Sequence, residues 1–172
     1  MRTAPQRRVS VEHTIAAAPE VIFAVLTDPA QHAAIDGSRT LVECGADNAS
    51  GPSTLKLGST FFTTMRRRPA SLHMTDLVQA TIATAQRGQM RNVVVEFVEN
   101  ERIAWQNFGH HIWRYELQPV SNSEEDRTLV RETFDYATNI CPPLLEIAGF
   151  PKRNAASMRA TLHNLESHCE RL

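Results

Sequence analysis

A long amphipathic stripe near the end of the chain, following a run of short alternating segments, most limits what this sequence can fold into. Ala155, Met158, Leu162, Leu165 and Cys169 recur at intervals of 3, 4, 3 and 4 residues, and Pro151 suits the first turn of a helix. Arg153, Arg159, Glu166 and Glu170 fall on the other side and are expected mainly in solvent. Such a helix must bury its apolar side. The strands that precede it supply the one large surface against which it can do so.

Those strands are legible by their period of two. Val9, Val11, His13 and Ile15 share one face of residues 9–16, with Ser10, Glu12 and Thr14 on the other. The pattern then changes. Pro19, Glu20 and the Ile22/Phe23/Leu26 stripe indicate a helix that Asp28-Pro29 stops, and a second short helix covers 30–35. Further strands are expected over 40–44, 59–65, 92–99, 102–108, 112–120 and 128–136. The short 99–101 connection and the polar 121–126 loop make an antiparallel meander. Residues 66–91 interrupt the pattern and read as an inserted helix or lid, or as a strand after a long loop. The chain, 1–172, is read as one domain with its folded core at 8–172.

Composition removes several classes of function. Lys+Arg 18 against Asp+Glu 19 gives a formal net charge of −1, which favours neither nucleic acid nor an anionic membrane as partner. The Arg66-Arg67-Arg68 run reads as a solvated loop rather than a phosphate site. Cys44, Cys141 and Cys169 are widely spaced, and no Cys/His grouping has metal-ligand spacing, so neither disulfides nor a metal is expected. The basic start MRTAPQRRVSVEH lacks the apolar stretch of a signal peptide, and no segment approaches the ~18–20 apolar residues of a membrane span. A soluble cytoplasmic protein, monomeric or homodimeric and without cofactor, is the expectation.

The stretches VEHTIAAAPEVIFAVLTDPAQHAAIDGS, VVVEFVENERIAWQ, WRYELQPV and LVRETFDY resemble the SRPBCC, or START-like, superfamily, most of all its polyketide cyclase/dehydrase-type members, common in actinobacteria. The likeness covers roughly residues 9–65 and 92–172. It implies the helix-grip fold of the α+β class: a curved seven-stranded antiparallel sheet around a long C-terminal helix, with two short helices after the first strand and a cavity between sheet and helix. Relatives include lipid-transfer domains, aromatase/cyclases and co-chaperone domains. Their shared motifs are mostly framework residues, so the fold does not by itself name the chemistry.

Strand alternation picks out the candidate walls of that cavity. His111, Trp113, Tyr115 and Leu117 share one face, and Val130, Glu132, Phe134 and Tyr136 share another. Trp105 with Ile103, and Phe97 with Val95, join them from neighbouring strands, and Met158, Leu162 and Leu165 face them from the helix. His110 should point outward, and Glu116 can pair with Arg131 across the outer face. Aromatics of this size often simply fill a core, and a lone inward histidine is often satisfied by a backbone carbonyl. Glu132 is the exception. A buried carboxylate needs a partner or a raised pKa, unless it lies near the sheet edge and reaches water.

His13, His111 and Glu132 are therefore the polar candidates in an otherwise apolar pocket. Glu132 with His111 or Tyr115 is a plausible acid/base unit, because cyclising a polyketone requires proton abstraction beside a carbonyl. Three functions follow. The first is binding of a hydrophobic or aromatic small molecule that is polyketide-, lipid- or quinone-like. The second is a polyketide cyclase/dehydratase using Glu132, and the third is a co-chaperone-like interaction module.

Overall fold

The computed structural model describes residues 6–46, 54–66, 89–107, 109–120 and 126–172. Its elements in chain order are β1 (Arg8–Ile15), α1 (Pro19–Thr27), a 3-10 turn (Pro29–Gln31), α2 (His32–Ile35), β2 (Leu41–Ala46), β3 (Thr60–Met65), β4 (Gln89–Val98), β5 (Arg102–Asn107), β6 (Ile112–Pro119), β7 (Thr128–Asp135), α3 (Pro142–Ile147) and α4 (Phe150–Cys169). This is the expected α+β helix-grip arrangement. The strands form one sheet in the order β1-β7-β6-β5-β4-β3-β2, every pair antiparallel. The proposed insertion at 66–91 falls largely on residues 67–88, outside the described set. Its last residues, Gln89 to Arg91, belong to β4.

β1 and β2 are neighbours in sequence but occupy opposite edges of the sheet, because α1, the 3-10 turn and α2 carry the chain from one edge to the other. Thr27 closes α1 by donating its hydroxyl to the Phe23 carbonyl at 2.9 Å, and Asp28 accepts the Ala30 amide at 3.0 Å to start the turn. α4 lays Met158, Leu162, Leu165 and Cys169 into the core beside Ile15, Ile22, Leu26, Val130 and Phe134. Burying side chains of this kind contributes about 1.5–3 kcal/mol each.

Three local expectations change. Val94 is buried while Val95 is 37% exposed, because the β4–β5 register slips between Val94 and Glu96. The extra residue of that bulge turns Val95 outward and restores Phe97 to the inner side, where its ring meets Phe23 at 5.3 Å. Arg131 does stand opposite Glu116, but its guanidinium bonds instead to Glu12 on β1 at 2.6 Å. Helix α3 was not anticipated: six residues with one buried side chain, Leu145, leave no periodic stripe to read.

The grip is tightest at Gly37. Its amide donates to the Thr161 hydroxyl at 3.0 Å, and a Cβ there would lie 2.2 Å from the Ser157 carbonyl oxygen and 2.4 Å from the Thr161 nitrogen. Backbone of α4 cannot yield as a side-chain tip would. Gly37→Ala should therefore cost about 2–3 kcal/mol, read as a fall of about 5–10 °C in the thermal midpoint. A change below 1 °C would show that the loop can retreat freely.

Candidate functional site

The inner face of the sheet carries two aromatic groups. Trp105 on β5 stacks on His32 of α2 with ring centroids 5.2 Å apart, and it meets Phe61 at 5.6 Å and Tyr115 at 5.5 Å. Trp113 on β6 packs on Phe134 of β7 at 4.8 Å, and Phe134 stacks on Tyr136 at 5.3 Å. Phe134, Tyr115, Met158, Leu162 and Leu165 are buried, whereas Phe97, Trp105 and Trp113 are partly buried and packed against the same cluster. His32 and Phe61 join this group beyond the residues that alternation on the later strands picks out. The period-two alternation of Phe61 and Thr63 was a usable signal for Phe61. His32, on a four-residue helix, offered none.

Glu132 lies among these rings and not at a wet edge. It is 3% exposed, and its Oε2 has no hydrogen-bond partner. Loss of hydration lifts its pKa from 4.5 to about 8. A hydrogen bond from the Tyr115 hydroxyl pulls the other way, and the negative charge of Asp36 adds to the rise. Tyr115 stands directly opposite Glu132 in the β6–β7 register. Its own pKa rises well above 10.0, first from burial and then from the Glu132 charge. At neutral pH the pair is therefore an uncharged carboxylic acid beside an uncharged phenol.

His111 is held apart from this pair. Its Nε2 faces the Asn107 side-chain amide at 2.6 Å and its Nδ1 faces that of Asn139 at 3.4 Å. The Asn107 carbonyl oxygen already accepts the Gly109 amide, and that of Asn139 accepts Cys141. Both neighbours thus present N–H groups to the ring; a neutral imidazole can accept one of them and an imidazolium neither, so the charged form is disfavoured. Burial drives its pKa down to about 4. Asn107 joins buried Asn92 and Thr63 in a polar belt that alternation on the apolar faces did not reveal. His110 is exposed, as expected.

His13 likewise bonds to another group than Glu132. Its Nε2 bonds Glu166 Oε2 at 2.8 Å, and its ring meets His163 edge-on at 4.4 Å. Glu166, expected in solvent, is instead 28% exposed in this contact. Two clefts lined by described residues open elsewhere. One, of about 240 Å³, lies over Glu101, Glu116 and Arg131, and the other, of about 450 Å³, lies between Asp36, Arg39, Arg66 and Arg171. Among the described residues, no helix is long and apolar enough to cross a membrane. Cys44, Cys141 and Cys169 are free thiols.

Comparison with known proteins agrees with the architecture. A family model described as "Polyketide cyclase / dehydrase and lipid transport" matches residues 6–170, and the chain belongs to that family, within the SRPBCC-type proteins. It is 32% identical over 168 residues to the uncharacterized protein Rv0088 of Mycobacterium tuberculosis H37Rv. That alignment covers 95% of this chain and 65% of Rv0088, so the chain spans just under two thirds of its relative's length. Among solved structures, a Rhodobacter sphaeroides protein superposes with a TM-score of 0.65 at 18% identity, covering 99% of this chain and 97% of that one. The Aha1 dimer of Colwellia psychrerythraea gives 0.54 at 17% identity, covering 95% and 96%. At these identities the structural likeness is one of fold. Together with the family, it supports a fold used for binding ligands.

Glu132 and His111 impose opposite pH slopes on stability. Between 4.5 and about 8 the folded chain keeps the Glu132 proton that the unfolded chain has lost, so stability falls as pH rises through that window. Between about 4 and 6.5 the unfolded chain gains a His111 proton that the folded chain refuses, so stability falls as pH drops. Buried His32, whose pKa desolvation also holds below 6.5, adds to the His111 slope on the acid side, and above 6.5 Glu132 acts alone of the three. Urea unfolding of Glu132→Gln should lack this alkaline decline, a difference of about 2 kcal/mol between pH 6.5 and 8. Parallel profiles for the two proteins would refute the assignment.

Proposed function

We propose that this chain, as a single domain, binds a hydrophobic or aromatic small molecule of polyketide, lipid or quinone type between the sheet and α4. The observation that carries the reading is the unpartnered Oε2 of Glu132, buried among aromatic and aliphatic side chains. A polar atom in that position is costly unless something bonds to it. A ligand carbonyl or hydroxyl supplies the missing partner, since a protonated carboxyl can donate one hydrogen bond and accept others. Trp105, Trp113, Tyr115, Phe134 and Phe97, with Met158, Leu162 and Leu165 from α4, provide the apolar walls. Family membership agrees, since lipid transport is among its described roles.

The Glu132–Tyr115 pair also favours a second reading, cyclisation or dehydration of a poly-β-keto substrate. A carboxyl whose pKa has risen to about 8 is poised to exchange a proton near neutrality. Abstracting the proton beside a ketone and returning it to the departing oxygen needs a group that changes state easily, and Tyr115 can hold the enolate oxygen by hydrogen bonding. His111, facing two N–H donors, is a poor base. His13 is engaged by Glu166 rather than by the pair. The co-chaperone-like reading rests on fold likeness alone.

Glu132→Gln separates the two main readings. Titration of an aromatic polyketide or a fatty acid, followed by quenching of Trp105 and Trp113 fluorescence, should give saturable binding to the wild type. In a carrier, affinity should change less than about tenfold in Glu132→Gln, the value of a single hydrogen bond. In a cyclase, turnover should drop by about 10²–10⁴-fold while binding persists. Absence of saturable binding across both ligand classes would overturn the pocket reading.

A further inference from the structure

His13, His163 and Glu166 converge where the edge strand meets the C-terminal helix. His163 and Glu166 are three residues apart on α4 and so share a face. His13 comes from β1, 153 positions before Glu166 in the chain. The His13 Nε2–Glu166 Oε2 distance is 2.8 Å, the His163 Nδ1–Glu166 Oε2 distance is 3.9 Å, and the three ligand atoms lie within 4.8 Å of one another. No ligand spacing could announce this group from sequence, because the fold alone brings β1 against α4.

We propose that these three side chains form a site for a divalent transition metal of the zinc type, which staples α4 to β1. Two imidazoles and one carboxylate match zinc, cobalt or nickel, whereas magnesium and calcium take oxygen ligands. A tetrahedral zinc with bonds of about 2.0–2.2 Å places its ligand atoms about 3.3 Å apart. The present spacings bracket that value. His163 is the freest of the three, with 67% of its side chain exposed, so its ring can swing to complete the set. His13 and Glu166 are each about a quarter exposed and already face one another. Three protein ligands leave a fourth position for water or for an oxygen or sulfur atom of a bound molecule.

Location gives the site its consequence. His13 stands opposite Val130 in the β1–β7 register, and Val11, two residues away on the same face, stands opposite Glu132. A metal here would join the helix to the sheet on the strand that borders the candidate pocket. It would hold α4 against β1, the helix–strand contact beside that interior. The site does not depend on the pocket being occupied.

The test uses the full chain without a histidine tag. Zn²⁺ should bind with one-to-one stoichiometry by competition with a chromophoric chelator, and Co²⁺ should give the visible absorption of a four-coordinate centre. At 100-fold excess over Kd the thermal midpoint should rise by about 5–10 °C. His163→Ala, a change at an exposed position, should keep the metal-free midpoint and weaken Zn²⁺ binding at least tenfold. Glu166→Gln should do the same to binding, while His110→Asn, which removes another surface histidine, should leave it unchanged. Binding that survives both His163→Ala and Glu166→Gln, or no saturable binding by the wild type, would overturn the proposal.

Discussion

Burial of one face of α4 against the inner side of the sheet is the interaction on which everything else rests. It gathers Met158, Leu162 and Leu165 from the last helix and side chains from β1, β5, β6 and β7 into one cluster. It also explains the strict demand at Gly37, where the loop leaving α2 runs against the backbone of α4 with no room for a methyl group. The same packing traps Glu132. A carboxyl on the inner face of β7 loses its hydration once the helix is seated, and its pKa rises to about 8.

The interior sorts its polar groups by what they can offer. Asn92 bonds Thr63 and Asn107 bonds His111, so these polar groups are engaged with one another. Glu132 and Tyr115 differ, because one carboxyl oxygen is left over. On the outer face, Glu96 takes both Arg114 and Arg102, which ties β4, β5 and β6 together where water screens the charges. Charge has been placed outside and proton-bearing neutrality inside, which suits an uncharged guest.

Most of the architecture was legible in the sequence, and the reason is physical. Periods of two and 3.6 record which side chains must be hidden, and hiding them leaves little choice of partner for α4. The inward set on β6 and β7, including Glu132, followed from alternation alone. What escaped was non-periodic or non-local. The bulge at Val95 reverses alternation within one strand, α3 is too short to show a stripe, and His32 reaches Trp105 only through tertiary packing. His13 was correctly placed on the inner face of its strand. Its partner, Glu166, could not be guessed, because that pairing depends on where the helix crosses β1.

The wide separation of β1 from its partner has a consequence for how the molecule is made. Ser10 and Thr133 touch across the β1–β7 ladder although 123 positions separate them. At synthesis rates of ~5–20 residues per second, the first strand waits on the order of 6–25 s before the strand it pairs with exists. During that interval β2 to β6 can zip up by neighbouring hairpins, whereas β1 remains an unpaired strand beside a growing sheet. Closure of this fold is therefore a late, long-range event, and the nascent chain is most vulnerable to mispairing along the edge that β1 will eventually occupy.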